Sequence, residues 1–350
     1  MEPPCCRRVA IVFLVLLGLL LWPVPTTSSS GSAPAVGRTI TVDQQGGGNF
    51  TSVQSAVDFV PDGNREWIRI HVKSGSYREK VIIPKKKNFI LLQGDGSWNT
   101  DINFADHAHA DVDDLMRNSG NWPPTAESAT FTVLADDFVA RNISFRNLHN
   151  AFDKAKPDQA LAALVAGDRS AFHGCAFYGF QDTLCDLASR HHFRDCFIKG
   201  GIDFIFGYGQ SIYEDCTIVS DMPSWYGRQP GWVTAHGRAD AGSPGGMVFK
   251  GGEVRGSGRV YLGRAWNEYA TVVFYRVNMT DVVVPRGWAP WNSSQDVSQV
   301  TFAEVGCSGP GSDTAGRVAW EKRLSDEEVQ RFVGMEFIGH GGWLSNLPHL

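Results

Sequence analysis

The sequence predicts an all-β protein, a right-handed parallel β-helix with a short N-terminal capping helix and a C-terminal helical tail. Three observations carry that prediction. The first is an internal repeat, found by aligning the chain on Arg141, Cys175, Cys196, Cys216, Gly252 and Val277. An aromatic residue stands three positions before each (Phe138, Phe172, Phe193, Tyr213, Phe249, Phe274), and an apolar residue two positions after each (Ile143, Phe177, Ile198, Ile218, Val254, Met279). The second is the period. The intervals are 34, 21, 20, 36 and 25 residues, a short unit sometimes lengthened by a loop. Such a period over short β-rich segments means stacked coils, each burying its apolar face on its neighbours. Leucine-rich repeats share the period, but their leucine ladder is missing. The third is a helical pattern near the N-terminus, where a solenoid needs its open core covered.

From the N-terminus, residues 1–30 read as a secretory signal: Arg7-Arg8, an apolar run from Val9 to about Val24, then small residues. The run is short for a membrane span, which needs ~20 apolar residues. Residues 31–38 are a short linker, and 39–350 a single elongated domain with no Pro/Ser-rich break. From Thr39 to Val60 the chain reads as a strand, a Gly46-Gly47-Gly48 turn and a helix resting on Val53, Ala56, Val57 and Val60. Ile68–Val72 and Val81–Ile83 are early strands. Lys85-Lys86-Lys87, after a proline, reads as a solvated turn. Near the C-terminus Ser325-Asp326-Glu327-Glu328 opens a capped helix whose packing face is Val329, Phe332 and Val333.

Several features are weighed and set aside. Asp106-His107-Ala108-His109-Ala110-Asp111 has metal-ligand residue types, but no helix aligns them and the flanks are polar, so no metal is assigned. His191 and His192 sit on a strand, where alternation turns them to opposite faces. Export removes Cys5 and Cys6 and leaves Cys175, Cys185, Cys196, Cys216 and Cys307. Cys175, Cys196 and Cys216 occupy one place on successive coils, close enough for an adjacent pair to bridge or to pack as buried thiols. Asn49, Asn142, Asn278 and Asn292 open Asn-x-Ser/Thr sequons, glycan acceptors in a secreted protein; two lie inside coils, so not all four are expected to be used. The net charge of −5 falls to −6 without the signal, whose Glu2, Arg7 and Arg8 sum to +1. An acidic chain offers no general attraction to nucleic acid or another polyanion.

The chemistry-bearing stretch runs from Gln181 to Gly207. Asp182 and Asp203 each lie seven residues after their coil's cysteine, so stacking places them side by side, about 4.8 Å apart along the solenoid. Two carboxylates that close cannot both ionise cheaply. One stays charged, to attack or to accept a proton, and the other keeps a proton to donate.

Five blocks, in order, now resemble the plant pectin methylesterases (pectinesterases): Gly75-Ser76-Tyr77-Arg78-Glu79, Gln159-Ala160-Leu161-Ala162-Ala163-Leu164, Gln181-Asp182-Thr183-Leu184, Asp203-Phe204-Ile205-Phe206-Gly207 and Leu262-Gly263-Arg264-Ala265-Trp266. The match extends over most of the chain after the signal. In the second block Ala163 and Leu164 stand where the family usually has leucine and arginine. Cys185 replaces a tyrosine after the third block and Phe180 a tyrosine before it; both are expected to line the substrate cleft. With no room before Thr39 for the family's inhibitor-like domain, the chain resembles the short form.

The resemblance implies hydrolysis of pectin methyl esters to free carboxylate and methanol, in cell wall modification. It implies Asp203 as nucleophile, Asp182 as proton donor and then base, and Gln181 as stabiliser of the transition state. Thr125, Gln159, Arg264 and Trp266 become substrate-binding positions. Gln181 and Gln159 supply amide donors to an oxyanion, and Trp266 an apolar face for a sugar ring. Arg264 grips Asp203 with a two-pronged hydrogen bond, which is expected to lower the pKa of Asp203 and leave that of Asp182 raised. No cofactor is implied. The expected partners are pectin and a proteinaceous inhibitor, with the protein a secreted, extracellular monomer clear of the membrane once the signal is gone. The alternatives are a non-catalytic pectin-binding relative and a β-helix lyase or glycosidase. A lyase would want a calcium-binding acidic cluster with a basic proton acceptor, and the intact carboxylates, Gln181 and Arg264 oppose a purely binding role.

Overall fold

Each turn of the chain contributes one strand to each of three parallel sheets, and successive turns stack in register. The structure, a computed structural model, describes residues 34–108, 124–152, 157–223, 226 and 229–348. The proposed signal and all of residues 109–123 lie outside the described residues. Among those described, one sheet has ten strands and two have eight, with every pairing parallel. The predicted right-handed parallel β-helix is the architecture found.

The interior is a set of residue columns running along the solenoid. Phe172, Phe193, Tyr213, Phe249 and Phe274 stack ring on ring, with centroids 5.1, 4.6, 4.6 and 4.4 Å apart and planes within 13° of parallel. Beside them runs the column Phe145, Phe177, Ile198, Ile218, Val254, Met279, one residue per coil. Aromatic pairs add about 0.5–1.5 kcal/mol each beyond the area they bury, so the ladder both fills the core and fixes the register.

That register corrects one part of the repeat. Between the first and second sheets the chain turns a corner through a left-handed residue: Asn142, Gly174, Asp195, Asp215, Gly251, Arg276 and Gly306, with φ of 52, 62, 52, 52, 69, 54 and 64°. Glycine, asparagine and aspartate tolerate this conformation, and only Arg276 departs from them. The residue after each corner fills one inward column, which makes Ile143, not Arg141, the counterpart of Cys175. Phe172 accordingly pairs with Ala140 and Ala176 with Ser144. Phe138 lies opposite Ile90 and only tilts against Phe172. The Phe-x-x-Arg-x-Ile spelling imitates the repeat two residues out of phase. The same column also takes in Cys307, after Gly306.

All five cysteines among the described residues are free thiols. The Sγ–H groups of Cys196, Cys216 and Cys307 donate to the carbonyls of Phe172, Phe193 and Phe274, at 3.2, 3.5 and 3.4 Å. Each of these three thiols thus reaches the backbone of the preceding coil. Stacked thiols, and not a bridge, are what the column holds.

The N-terminal end is covered as expected. The helix Val53–Phe59 buries Val53, Ala56 and Val57 over the open core. Glu79, in the first signature block, accepts from the backbone N–H of Val53 and Gln54 at 2.8 and 2.9 Å, so that block ties the cap to the solenoid. Lys87 is a correction: it is buried, and its ammonium donates to the carbonyls of Asp58 and Val60 at the helix C-terminus. A cation there meets the negative end of the helix. The C-terminal helix Asp326–Val333 starts with the predicted Ser325/Glu328 capping box and lays Val329, Phe332 and Val333 along the outer face of the ten-stranded sheet, beside the solenoid rather than over its end.

Candidate active site

The third sheet carries the site on its outward face. Pairing aligns Leu164, Cys185, Phe206, Ala235 and Arg264 in one row, with inward Ala163, Leu184, Ile205, Thr234 and Gly263 beside them. Three residues before Cys185 and Phe206 stand Asp182 and Asp203, at the turn leading into each strand. Both have left-handed backbone, φ 62° and 45°, a conformation that aspartate tolerates and most side chains resist. Asp182 is tied into the stack by its N–H, which donates to the Ile202 carbonyl at 2.9 Å. The two carboxylates are therefore neighbours on adjacent coils, only 8% and 5% exposed.

Arg264 separates their roles. Its Nε donates to Asp203 Oδ1 at 2.8 Å and its Nη2 donates to Oδ2, the predicted two-pronged grip. The guanidinium lies between two indoles, 4.4 Å from the Trp232 ring centroid and 4.0 Å from that of Trp291. Burial raises both carboxyl pKa values. Asp182 is pushed well above the ordinary range, first by burial and then by the Asp203 charge. At Asp203 burial also leads, opposed by the hydrogen bonds and charge of Arg264. The expectation that Asp203 would fall below its ordinary value is corrected: desolvation outweighs the arginine. Of the pair, Asp182, which lacks the fork, is the one pushed well above its ordinary value.

A cleft of about 250 Å³ opens over them, lined by Gln159, Gln181, Asp182, Asp203, Phe206, Ala235, Arg264, Trp266 and Trp291. Gln159 and Gln181 pair as neighbours on adjacent coils, with Gln181 next to Ile202 in turn. Both line the cleft together with Asp182. Trp266 packs near Trp291, Phe206 and Tyr208 at 6.2, 6.2 and 5.1 Å. A carboxylate to attack, an acid to donate and amide donors beside an apolar wall are the parts of acyl transfer.

Three expected residues lie elsewhere. Thr125 is not among the cleft-lining residues; it is 3% exposed in the short helix Pro124–Glu127, and its carbonyl accepts from Ser128. Cys185 lies in the apolar floor with Leu164, Phe206 and Ala235, where burial raises its thiol pKa well above the ordinary value. Phe180 packs with Ile202 and Met222 and lines a neighbouring cavity. His191 and His192 do face opposite ways: His191 meets buried Asp186, and His192 lies near Glu214. Sequence reasoning missed Trp232, Trp291 and Phe206. Trp232 falls inside the 36-residue interval from Cys216 to Gly252, whose loop hides its place one coil above Asp203. Phe206 was in a signature block, and strand alternation from Ile205 would have turned it outward.

Comparison with known proteins agrees with this geometry. The pectinesterase family profile matches residues 39–341. Probable pectinesterase 29 of Arabidopsis thaliana is 40% identical over 342 residues, covering 96% of this chain and 98% of the relative. Probable pectinesterase 55 of the same plant is 43% identical over 314 residues, covering 88% and 91%. Among solved structures, a pectin methylesterase from carrot superposes with a TM-score of 0.80 at 33% identity, covering 91% of this chain and 99% of that one.

Proposed function

This chain belongs to the pectinesterase family, and on that premise we propose that it hydrolyses the methyl esters of pectin through Asp203 and Asp182. The observation that carries the assignment of roles is the asymmetry of the pair: Arg264 grips Asp203 alone, while Asp182 stands beside it without that fork. The Asp203 carboxylate attacks the ester carbonyl, and the oxygen that becomes negative is met by the amide N–H groups of Gln181 and Gln159. Collapse of that adduct breaks the bond to the methoxy oxygen, which leaves as methanol with the proton of Asp182. An anhydride between Asp203 and the sugar carboxyl remains. Asp182, now a carboxylate, takes a proton from water as the water adds to the anhydride, which frees the product acid and restores Asp203. Trp266 and Trp291 offer flat apolar faces to the sugar rings.

The same premise supports action on pectin in the cell wall. The apolar run behind Arg7-Arg8 supports export, and the four sequon asparagines, all at exposed positions, suit glycan attachment. A proteinaceous inhibitor and a monomeric state belong to the proposal as well. The test is methanol release from esterified pectin, measured together with polymer length. Methanol released at constant chain length supports the esterase. Shortened chains would point to a lyase or glycosidase, and binding without methanol to a non-catalytic relative.

A further inference from the structure

Beside the cleft, three potential ligands converge from separate stretches of chain. His107, His149 and Asp158 bring one donor atom each to within 4.8 Å of one another, and all three are half-buried, so the place is open to an ion from solvent. We propose that they form a binding site for one divalent transition-metal ion of the zinc type. Of the run that drew attention in the sequence, only His107 takes part among the described residues; its partners come after the next three strands, Phe131–Val133, Phe138–Arg141 and Ser144–Asn147.

The donor set selects the class of ion. Two imidazole nitrogens and one carboxylate oxygen suit zinc and its borderline neighbours, whereas calcium and magnesium favour oxygen throughout. The imidazoles of His107 and His149 stack with centroids 4.0 Å apart and planes 12° from parallel. Each nitrogen lone pair lies in its ring plane, so one ring rotates out of the stack for both to meet an ion at about 2.0–2.1 Å.

The backbone around the three is already fixed, which is what separates a site from a chance cluster. Buried Asn147 accepts from the His149 N–H at 3.0 Å and donates to the Asp106 carbonyl at 3.0 Å, joining the stretches that carry the two histidines. Buried Asn150 accepts from the Asp158 N–H at 3.0 Å and donates to the Asp158 carbonyl at 2.8 Å, joining the third ligand to the second. The Ala108 N–H donates to the Gln159 carbonyl at 2.9 Å. An ion held by His107 and Asp158 therefore fastens the chain on both sides of Gln159, a residue of the cleft wall, and couples metal occupancy to the placement of its amide.

The experiment is calorimetric titration of the folded, full-length protein with Zn²⁺, with circular dichroism to show that each variant is folded. The expected result is a single saturable site per chain. His149→Ala and Asp158→Asn each lose a ligand, so each should weaken binding by more than the roughly 10–100-fold that an outer partner of a metal ligand is worth. His71→Ala, which removes a histidine paired with Asp95 elsewhere on the solenoid, should leave binding unchanged. Absence of saturable binding, or binding that survives in His149→Ala and Asp158→Asn, would overturn the proposal. So would equal loss in His71→Ala, which marks ordinary surface histidine binding. None of these readouts depends on esterase activity.

Discussion

Replacing Arg264 by lysine keeps the positive charge and removes the fork, and the structure sets the size of the effect. Arg264 makes two charge-assisted bonds to Asp203 and is clamped between Trp232 and Trp291. An ammonium on a flexible stem can replace one of those bonds and has no flat surface to lay between the indoles. Loss of one hydrogen bond to a charged group costs about 1.5–3 kcal/mol, equivalent to about 10- to 150-fold in kcat/KM. The sign follows from which form is active. Asp203 must be ionised to attack, and its pKa already lies above the ordinary value because burial outweighs Arg264. Weakening the arginine's contribution raises it further, so activity disappears at a higher pH as the solution is acidified. Arg264→Lys should therefore show its largest deficit on the acidic limb of the pH–rate profile, with that limb moved upward. Methanol release measured across pH for both proteins reads this directly. Unchanged turnover with an unmoved acidic limb would show that the Arg264–Asp203 contact does not govern ionisation.

Other consequences follow from the same geometry. Asp182→Asn should stabilise the fold while removing activity: burial raises the Asp182 pKa above its ordinary 3.8, so its penalty is absent below that pH and grows as pH rises through the raised value. A gain of about 0.5–2 kcal/mol is expected at neutral pH, seen as a higher Tm that converges on wild type in acid; a lower Tm at neutral pH would contradict the burial penalty. Gln181→Ala and Gln159→Ala should each lower kcat by about 10²–10³-fold if their amides meet the oxyanion, whereas a change confined to KM would make them binding residues. Phe249→Ala removes a ring stacked on both sides, at 4.6 and 4.4 Å, and should cost about 3–5 kcal/mol in denaturant unfolding. A loss near zero would mean that the aromatic column can collapse around the gap.

The parts of the fold that a single residue type marks were legible in the sequence. The inward aromatic at each coil and the seven-residue offset from Cys175 to Asp182 and from Cys196 to Asp203 placed the carboxylates correctly on neighbouring coils. The first coil was read two residues out of phase because the corner at Asn142, and not the aromatic, sets the register. Backbone conformation of that kind leaves little trace in the spacing of apolar residues. Arg264 was legible as the partner of Asp203 through its block, but the indoles that clamp it were not. Trp232 and Trp291 reach the site across loops whose lengths break the period. The balance of burial against Arg264 at Asp203 depends on how completely the turn is enclosed, which pattern alone does not give. Lys87 is the same kind of case: its buried place under the helix end comes from tertiary packing over a locally polar run.

The most direct test of Asp203 as nucleophile is the rate of methanol release by wild type and by Asp203→Asn under the same conditions. Asparagine suits the left-handed backbone at this position, φ 45°, and its amide still fits beside Arg264, so loss of activity cannot be charged to loss of fold once circular dichroism and Tm match wild type. The account predicts a folded variant whose kcat falls by on the order of 10⁴-fold or more, as removal of a covalent nucleophile does. A folded Asp203→Asn enzyme that still releases methanol at near the wild-type rate would contradict it.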